Sequence, residues 1–170
     1  MTTIGLLSDT HGFLDQKILH HFEDCNEIWH AGDIGPGNIL QLLQKICRVR
    51  VVWGNIDDAT LRRQIPEVDL FQCEDFKIMM IHIAGKFGSY TPQVKQLIVE
   101  HKPEILVCGH SHILKIAQDK KFNVMYLNPG AAGTYGFHTV RTLIKFDVHE
   151  HNISNMRIIE MSKFENQAIV

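Results

Sequence analysis

Short apolar runs that stop at polar, glycine-containing loops recur along the chain. Residues 3–7 form the first, ending in Ser8-Asp9-Thr10-His11-Gly12, the pattern of a buried strand that gives way to a loop. Over 13–23 the apolar positions Leu14, Ile18, Leu19 and Phe22 fall on one helical face, and 27–30 reads as a second strand. Strand, helix, strand makes a βαβ unit. Ile39, Leu42, Leu43 and Ile46 then mark an amphipathic helix behind Gly35-Pro36-Gly37, and 49–53 is a third strand.

The middle of the chain changes character. Runs over 68–73 and 76–83 flank Glu74-Asp75 and predict a hairpin. Thr91-Pro92 opens a helix, with threonine as N-cap, proline in the first turn and Val94, Leu97 and Ile98 as its buried stripe. A strand over 105–108 follows, and then four strand-like runs, 113–118, 122–127, 139–146 and 153–160, with no helix between them. No linker, repeat or low-complexity tract interrupts the chain. The expectation is one domain over 1–170, with two packed sheets and helices outside.

Composition narrows the function. At 170 residues, 45% hydrophobic and 21% charged, the chain is ordinary globular material. A net charge of −2 and the lack of a basic, aromatic-rich segment argue against nucleic-acid binding as a main role. The longest later apolar run, 78–81, stops at His82, far short of the roughly 20 residues that cross a bilayer, so no membrane association is expected. The amino terminus has no basic segment ahead of its apolar run, so no export signal is read there. Cys25, Cys47, Cys73 and Cys108 form no Cys-x-x-Cys pair and read as buried thiols in a reducing cytoplasm. The unusual count is eleven histidines.

Five polar clusters each follow an apolar run: Asp9-Thr10-His11, Gly32-Asp33, Gly54-Asn55, His82, and Gly109-His110-Ser111-His112. Open α/β sheets gather their sites at the carboxyl ends of strands. Residues two apart in extended chain point the same way, so Asp9 with His11, and His110 with His112, can converge from one loop each. A lone Asp-x-His commonly serves as a turn device, and a lone Gly-Asp carries less still. The ordered set, with Asp9, Asp33, Asn55, His82 and His110 successively 24, 22, 27 and 28 residues apart, is a different matter. Two Asp, one Asn and four His are too many for one tetrahedral ion but suit two ions sharing a carboxylate, for which Asp33 is the natural bridge. Oxygen and imidazole donors without thiolate favour Mn²⁺, Fe or Zn²⁺ over Ca²⁺ or an iron–sulfur cluster.

This order of motifs resembles the calcineurin-like metallophosphoesterases, in particular their small bacterial and archaeal phosphodiesterases, from Ile4 to about Ile159. The resemblance implies an α/β fold, a four-layer α/β/β/α sandwich of two packed mixed sheets. It implies one ion on Asp9, His11, Asp33 and His112 and a second on Asp33, Asn55, His82 and His110, the last four also carrying catalysis. Mn²⁺ is expected first, with Fe, Zn²⁺, Ni²⁺ or Mg²⁺ as alternatives. The reaction implied is hydrolysis of a small phosphodiester, with a bridging water deprotonated to attack phosphorus. Asn128-Pro129-Gly130 resembles a turn near the site in small members.

One position departs from the pattern. Larger relatives carry a histidine after Gly-Asn as proton donor; here the run is Gly54-Asn55-Ile56-Asp57. Isoleucine donates no proton, which puts unactivated substrates in doubt. His30 and His138 are the candidate replacements, set against a packing role for His30 and a satisfied strand position for His138. Asp57, without that partner, reads as a turn stabiliser. Arg141 and Lys86 read as solvated charges rather than phosphate ligands, and His20, His21, His101, His149 and His151 as solvated. The alternative function is a scaffold of the same fold with a silent site, as in the retromer subunit this chain also resembles. A homodimer through the strand-rich carboxyl-terminal third is left open.

Overall fold

A computed structural model describes residues 1–164; positions 165–170 of the expected 1–170 domain lie outside the described residues. The opening reads as expected: β1 (Thr2–Leu7), α1 (Gln16–Phe22), β2 (Glu27–His30), α2 (Ile39–Gln44) and β3 (Arg48–Val51). Helix α1 begins later than its apolar stripe suggests because Asp15 caps it, its carboxylate accepting the Ile18 N–H at 3.0 Å. Next come α3 (Ala59–Gln64), β4 (Val68–Cys73), β5 (Phe76–Ile81), β6 (Gly85–Lys86), β7 (Ser89–Tyr90) and α4 (Pro92–His101). Helix α4 carries the expected Thr91 cap and stops at Lys102, whose left-handed backbone cannot continue it. The rest is β8 (Ile105–Val107), β9 (Leu114–Asp119), β10 (Val124–Pro129), β11 (Val140–His149) and β12 (Asn152–Ser162). Helix α3 and the small β6–β7 ribbon were not expected from the sequence; α3 buries no residue, so it leaves no apolar stripe.

Two mixed five-stranded sheets result, in the orders β12-β11-β1-β2-β3 and β4-β5-β8-β10-β9. Each has three parallel strands, β1-β2-β3 in one and β5-β8-β10 in the other, with antiparallel strands outside. Three apolar clusters fill the spaces between layers. Ile4, Leu6, Trp29 and Phe146 of one sheet meet Ile78, Met80, Ile105 and Val107 of the other. On the first sheet's outer face, Leu7, Ile28 and Leu143 pack with Ile18 and Phe22 of α1 and Ile39 and Leu43 of α2. On the second sheet's outer face, Met79, Ile81 and Leu106 pack with Val94 and Ile98 of α4. The order is therefore helix, sheet, sheet, helix, the four-layer α/β/β/α sandwich expected.

The four cysteines are free thiols; Cys25, Cys73 and Cys108 are buried as expected, while Cys47, just ahead of β3, is only half-buried. Burial pushes Cys25 and Cys108 up to about 12 and Cys73 to about 11, so these three stay protonated and unreactive. No helix among the described residues is long and apolar enough to cross a membrane. Arg141 corrects the reading of a solvated charge. It is 0% exposed, and its guanidinium donates to Asp15 Oδ2 at 2.7 Å and to the Ala132 and Ser162 carbonyls at 3.1 Å. The alternation that placed this strand could not reveal that its inward partner is the Asp15 cap. Lys86 is exposed, as read; His20, His149 and His151 are exposed, while His21 and His101 are half-buried.

Candidate metal centre

Every polar cluster stands just past the carboxyl end of a parallel strand: Asp9 and His11 after β1, Asp33 after β2, Asn55 after β3, His82 after β5, His110 and His112 after β8. The loops turn abruptly to bring the side chains back over the sheet ends. Asp9, His11, Asp33, His110 and His112 all adopt left-handed backbone, with φ between 48° and 67°. Such conformations are costly for residues with a Cβ and gather at functional sites.

The side chains form two groups, Asp9-His11-His112 and Asp33-His82-His110, in each of which one ligand atom per residue lies within 4.8 Å of the others. His11 Nε2 is 3.3 Å from His112 Nε2, and Asp9 Oδ1 lies 3.1 Å from His112 Nε2 and 3.8 Å from His11 Nε2. Asp33 joins the groups, with Oδ1 3.3 Å from His82 Nε2 and Oδ2 3.6 Å from His11 Nε2. Asn55, an exposed amide, shares a cavity wall with His82. The two groups hold six of the seven ligands expected from the sequence, and Asn55 stands at the adjoining cavity.

Surrounding residues aim these ligands. His82 Nδ1 faces the Ala31 carbonyl at 2.7 Å, so Nδ1 carries the proton and Nε2 presents its lone pair inward. Asp57 holds two loops, accepting the Gly54 and Gly35 N–H groups at 2.8 and 2.9 Å, the turn-stabilising role expected. Asn128 donates to the Gly109 carbonyl at 2.8 Å and to Ser111 at 3.1 Å, fixing the loop of His110 and His112. Gly54 is required sterically: a Cβ there would stand 2.1 Å from Asp33 Oδ1.

His30 is fully buried, with Nε2 2.9 Å from Thr10 Oγ1 and Nδ1 accepting the Gly32 N–H, a packing role rather than an acid facing the centre. His138 sits in the loop ahead of β11, not in the strand expected; Nε2 bonds the Gly133 carbonyl and Nδ1 is buried without a partner. At Ile56 only the backbone contributes, its N–H donating to Asp33 Oδ1 at 3.0 Å. The sequence reading missed Tyr135, whose ring lies 4.9 Å from that of His11; a lone tyrosine in a loop carries no signal.

Electrostatics fit a cation cradle. Burial works to raise the Asp9 carboxyl, but the His11, His112 and His82 rings outweigh it and hold it well below the usual range. Asp33 is likewise lowered, burial being overcome by His82 and the Ile56 N–H. Burial opposes protonation of His82, yet Asp33 and Asp9 raise it. Asp9 Oδ1 and His82 Nε2 are buried and make no hydrogen bond. Buried polar atoms are seldom left so, and a cation at each group, one taking a lone pair from Asp9 and the other from His82, explains the two orphans.

Residues 2–151 match the model of the calcineurin-like phosphoesterase superfamily domain. A probable metallophosphoesterase of Methanothermobacter thermautotrophicus is 31% identical over 133 residues, covering 75% of this chain and 76% of that protein. Among solved structures, wild-type Vps29 of Entamoeba histolytica in complex with zinc superposes with a TM-score of 0.74 at 16% identity, covering 95% of this chain and 99% of that one. A novel archaeal phosphodiesterase superposes at 0.73 with 18% identity, covering 94% and 99%. Together with a two-group imidazole and carboxylate centre at the ends of parallel strands, these likenesses place the chain in the calcineurin-like phosphoesterase superfamily, whose members bind divalent metals.

Proposed function

We propose that the chain is a divalent-metal-dependent phosphodiesterase with a dinuclear centre. Asp33 is shared, Asp9, His11 and His112 complete one position, and Asn55, His82 and His110 the other. The observation that carries this reading is Asp33, which turns one carboxylate oxygen to His82 and the other to His11. Mn²⁺ suits the mixed oxygen and imidazole donors, and the four free thiols suit a reducing cytoplasm.

Divalent ions in such a cradle supply Lewis acidity, neutralising phosphate oxygens and acidifying water. The chain's own residues hold the geometry. Asp33 fixes the spacing of the two positions, while His82, braced on the Ala31 carbonyl, and His110, braced through Asn128, orient one side. No Lys or Arg lines the cavities beside the centre among the described residues, which favours a singly charged diester over a doubly charged monoester. With Ile56 in place of a proton donor, leaving groups that depart as stable anions react fastest.

The second reading, an interaction module with weak or no catalysis, draws on the exposed Tyr135 and Phe137 beside the centre. Hydrolysis decides between them. Purified protein with Mn²⁺ cleaves an activated aryl phosphodiester, and Asp33→Ala and His110→Ala proteins do not. Equal inertness of all three with Mn²⁺, Zn²⁺, Fe²⁺, Ni²⁺ and Mg²⁺ returns the interaction module.

A further inference from the structure

Three large exposed side chains that metal binding does not use stand together, two in the loop between β10 and β11 and one in the loop between β8 and β9. Tyr135 and Phe137 are 68% and 106% exposed, and Ile113 is 66% exposed. They line one groove of about 500 Å³ together with His110 and His112. That volume suits a small organic group. Large apolar side chains gathered around one opening mark a binding surface rather than chance exposure.

We propose that this groove is a stacking subsite for a planar aromatic arm of the phosphodiester, a nucleobase or a simple aryl ring. The proposal rests on the phosphodiesterase reading above. A diester held at the centre has two arms, and two recesses have candidate ligands in their own lining. The recess beside His82 and Asn55 holds about 190 Å³ and is the smaller; the groove beside His110 and His112 takes the bulkier arm.

The lining selects the chemistry. It contains no charged Lys, Arg, Asp or Glu, so an arm bearing further phosphates finds no counter-charge there. What it offers is π-faces, which accept any base or aryl ring. Tyr135 lies tilted by 36° over His11, so the platform begins at the centre itself. The loop is also pinned: Lys163 Nζ donates to the Gly136 and His138 carbonyls, and Arg141 holds the Ala132 carbonyl. Rings on a pinned loop lose little freedom when a ligand stacks on them. With a net charge of −2 and no basic track in the groove, a small diester fits better than a polynucleotide.

The test holds the leaving group constant and changes the other arm. Three p-nitrophenyl phosphodiesters, with methyl, phenyl or thymidine as the second arm, are compared on full-length protein with Mn²⁺. The expected result is a KM for the phenyl and thymidine esters about tenfold below that of the methyl ester. The phenyl and thymidine arms distinguish a general aryl site from a nucleobase site. Phe137→Ala, at a fully exposed position that does not support the fold, removes most of this selectivity, and Phe137→Tyr, which keeps a ring, retains it. Saturation-transfer NMR of thymidine on the metal-free protein is an independent readout, with transfer expected in the wild type and lost in Phe137→Ala. Cleavage of all three esters with equal KM, or selectivity unchanged in Phe137→Ala, overturns the subsite while leaving the phosphodiesterase intact. Failure to cleave any of the esters overturns the phosphodiesterase, and absence of saturation transfer to thymidine in the wild type overturns the subsite.

Discussion

His11 and His112, 101 residues apart in sequence, meet with their Nε2 atoms 3.3 Å apart, and Asp9 Oδ1 lies 3.1 Å from His112 Nε2. Three donor atoms thus converge, and with one oxygen orphaned the cluster holds more electron density than its own protons satisfy. Divalent metal should therefore stabilise the protein measurably. At free metal about 100 times Kd the gain is about 2.7 kcal/mol, or roughly 5–10 °C in Tm for a chain of this size. Differential scanning fluorimetry with Mn²⁺, reversed by a chelator, measures it, and a His11→Ala/His112→Ala double variant should lose a large share of the shift.

Gly54 sits where any side chain would strike Asp33, since a Cβ would fall 2.1 Å from Oδ1 and 2.4 Å from the Asp33 backbone nitrogen. Gly54→Ala should displace the bridging carboxylate while leaving the sheets intact. Hydrolysis of an activated aryl diester should fall by about 100-fold or more, the scale on which disturbed support of metal ligands acts, with far-ultraviolet circular dichroism unchanged.

Much of this centre was legible in the sequence because its ligands come in short clusters at the ends of apolar runs. The opening βαβαβ and the late run of strands followed from periodicity alone. What was not legible depended on contacts across the chain. Helix α3 fully buries no residue and sends only Leu61 against the core, so its pattern is that of a loop, although Asp58 caps it by accepting the Leu61 N–H at 2.8 Å. The burial of Arg141 depends on Asp15, 126 residues away, and Asp15 announced itself only as a helix cap. Tyr135 and Phe137 matter because the β10–β11 loop folds back beside His112, which no local pattern encodes.

The Arg141–Asp15 pair is a buried ion pair with the Arg141 guanidinium fully hidden from solvent. Removing one partner leaves the other charge buried and unpaired, at a cost of about 3–5 kcal/mol. Arg141→Met should lower Tm by about 10 °C. Adding Asp15→Asn, which keeps a capping oxygen for α1, should recover much of that loss. Thermal unfolding of the two proteins checks both.

His30 gives the fold an acid-sensitive element. Complete burial, reinforced by the nearby His82, pushes its pKa from 6.5 down to about 4 against the opposing pull of Asp57, Asp9 and Asp33. Between those values the unfolded chain binds a proton that the native state refuses, so stability falls as pH drops from 6.5 towards 4. The loss is on the order of 3 kcal/mol and is complete below the lower value. Urea denaturation should show the midpoint falling across this window, with a shallower fall in His30→Gln.

The central claim is that Asp33 joins two metal positions, and the most direct measurement is stoichiometry. Equilibrium dialysis of the metal-stripped protein against Mn²⁺, followed by elemental analysis, should give two ions per wild-type chain and at most one in Asp33→Ala. A single ion in the wild type, or two retained tightly in Asp33→Ala, would contradict a centre built around a shared Asp33.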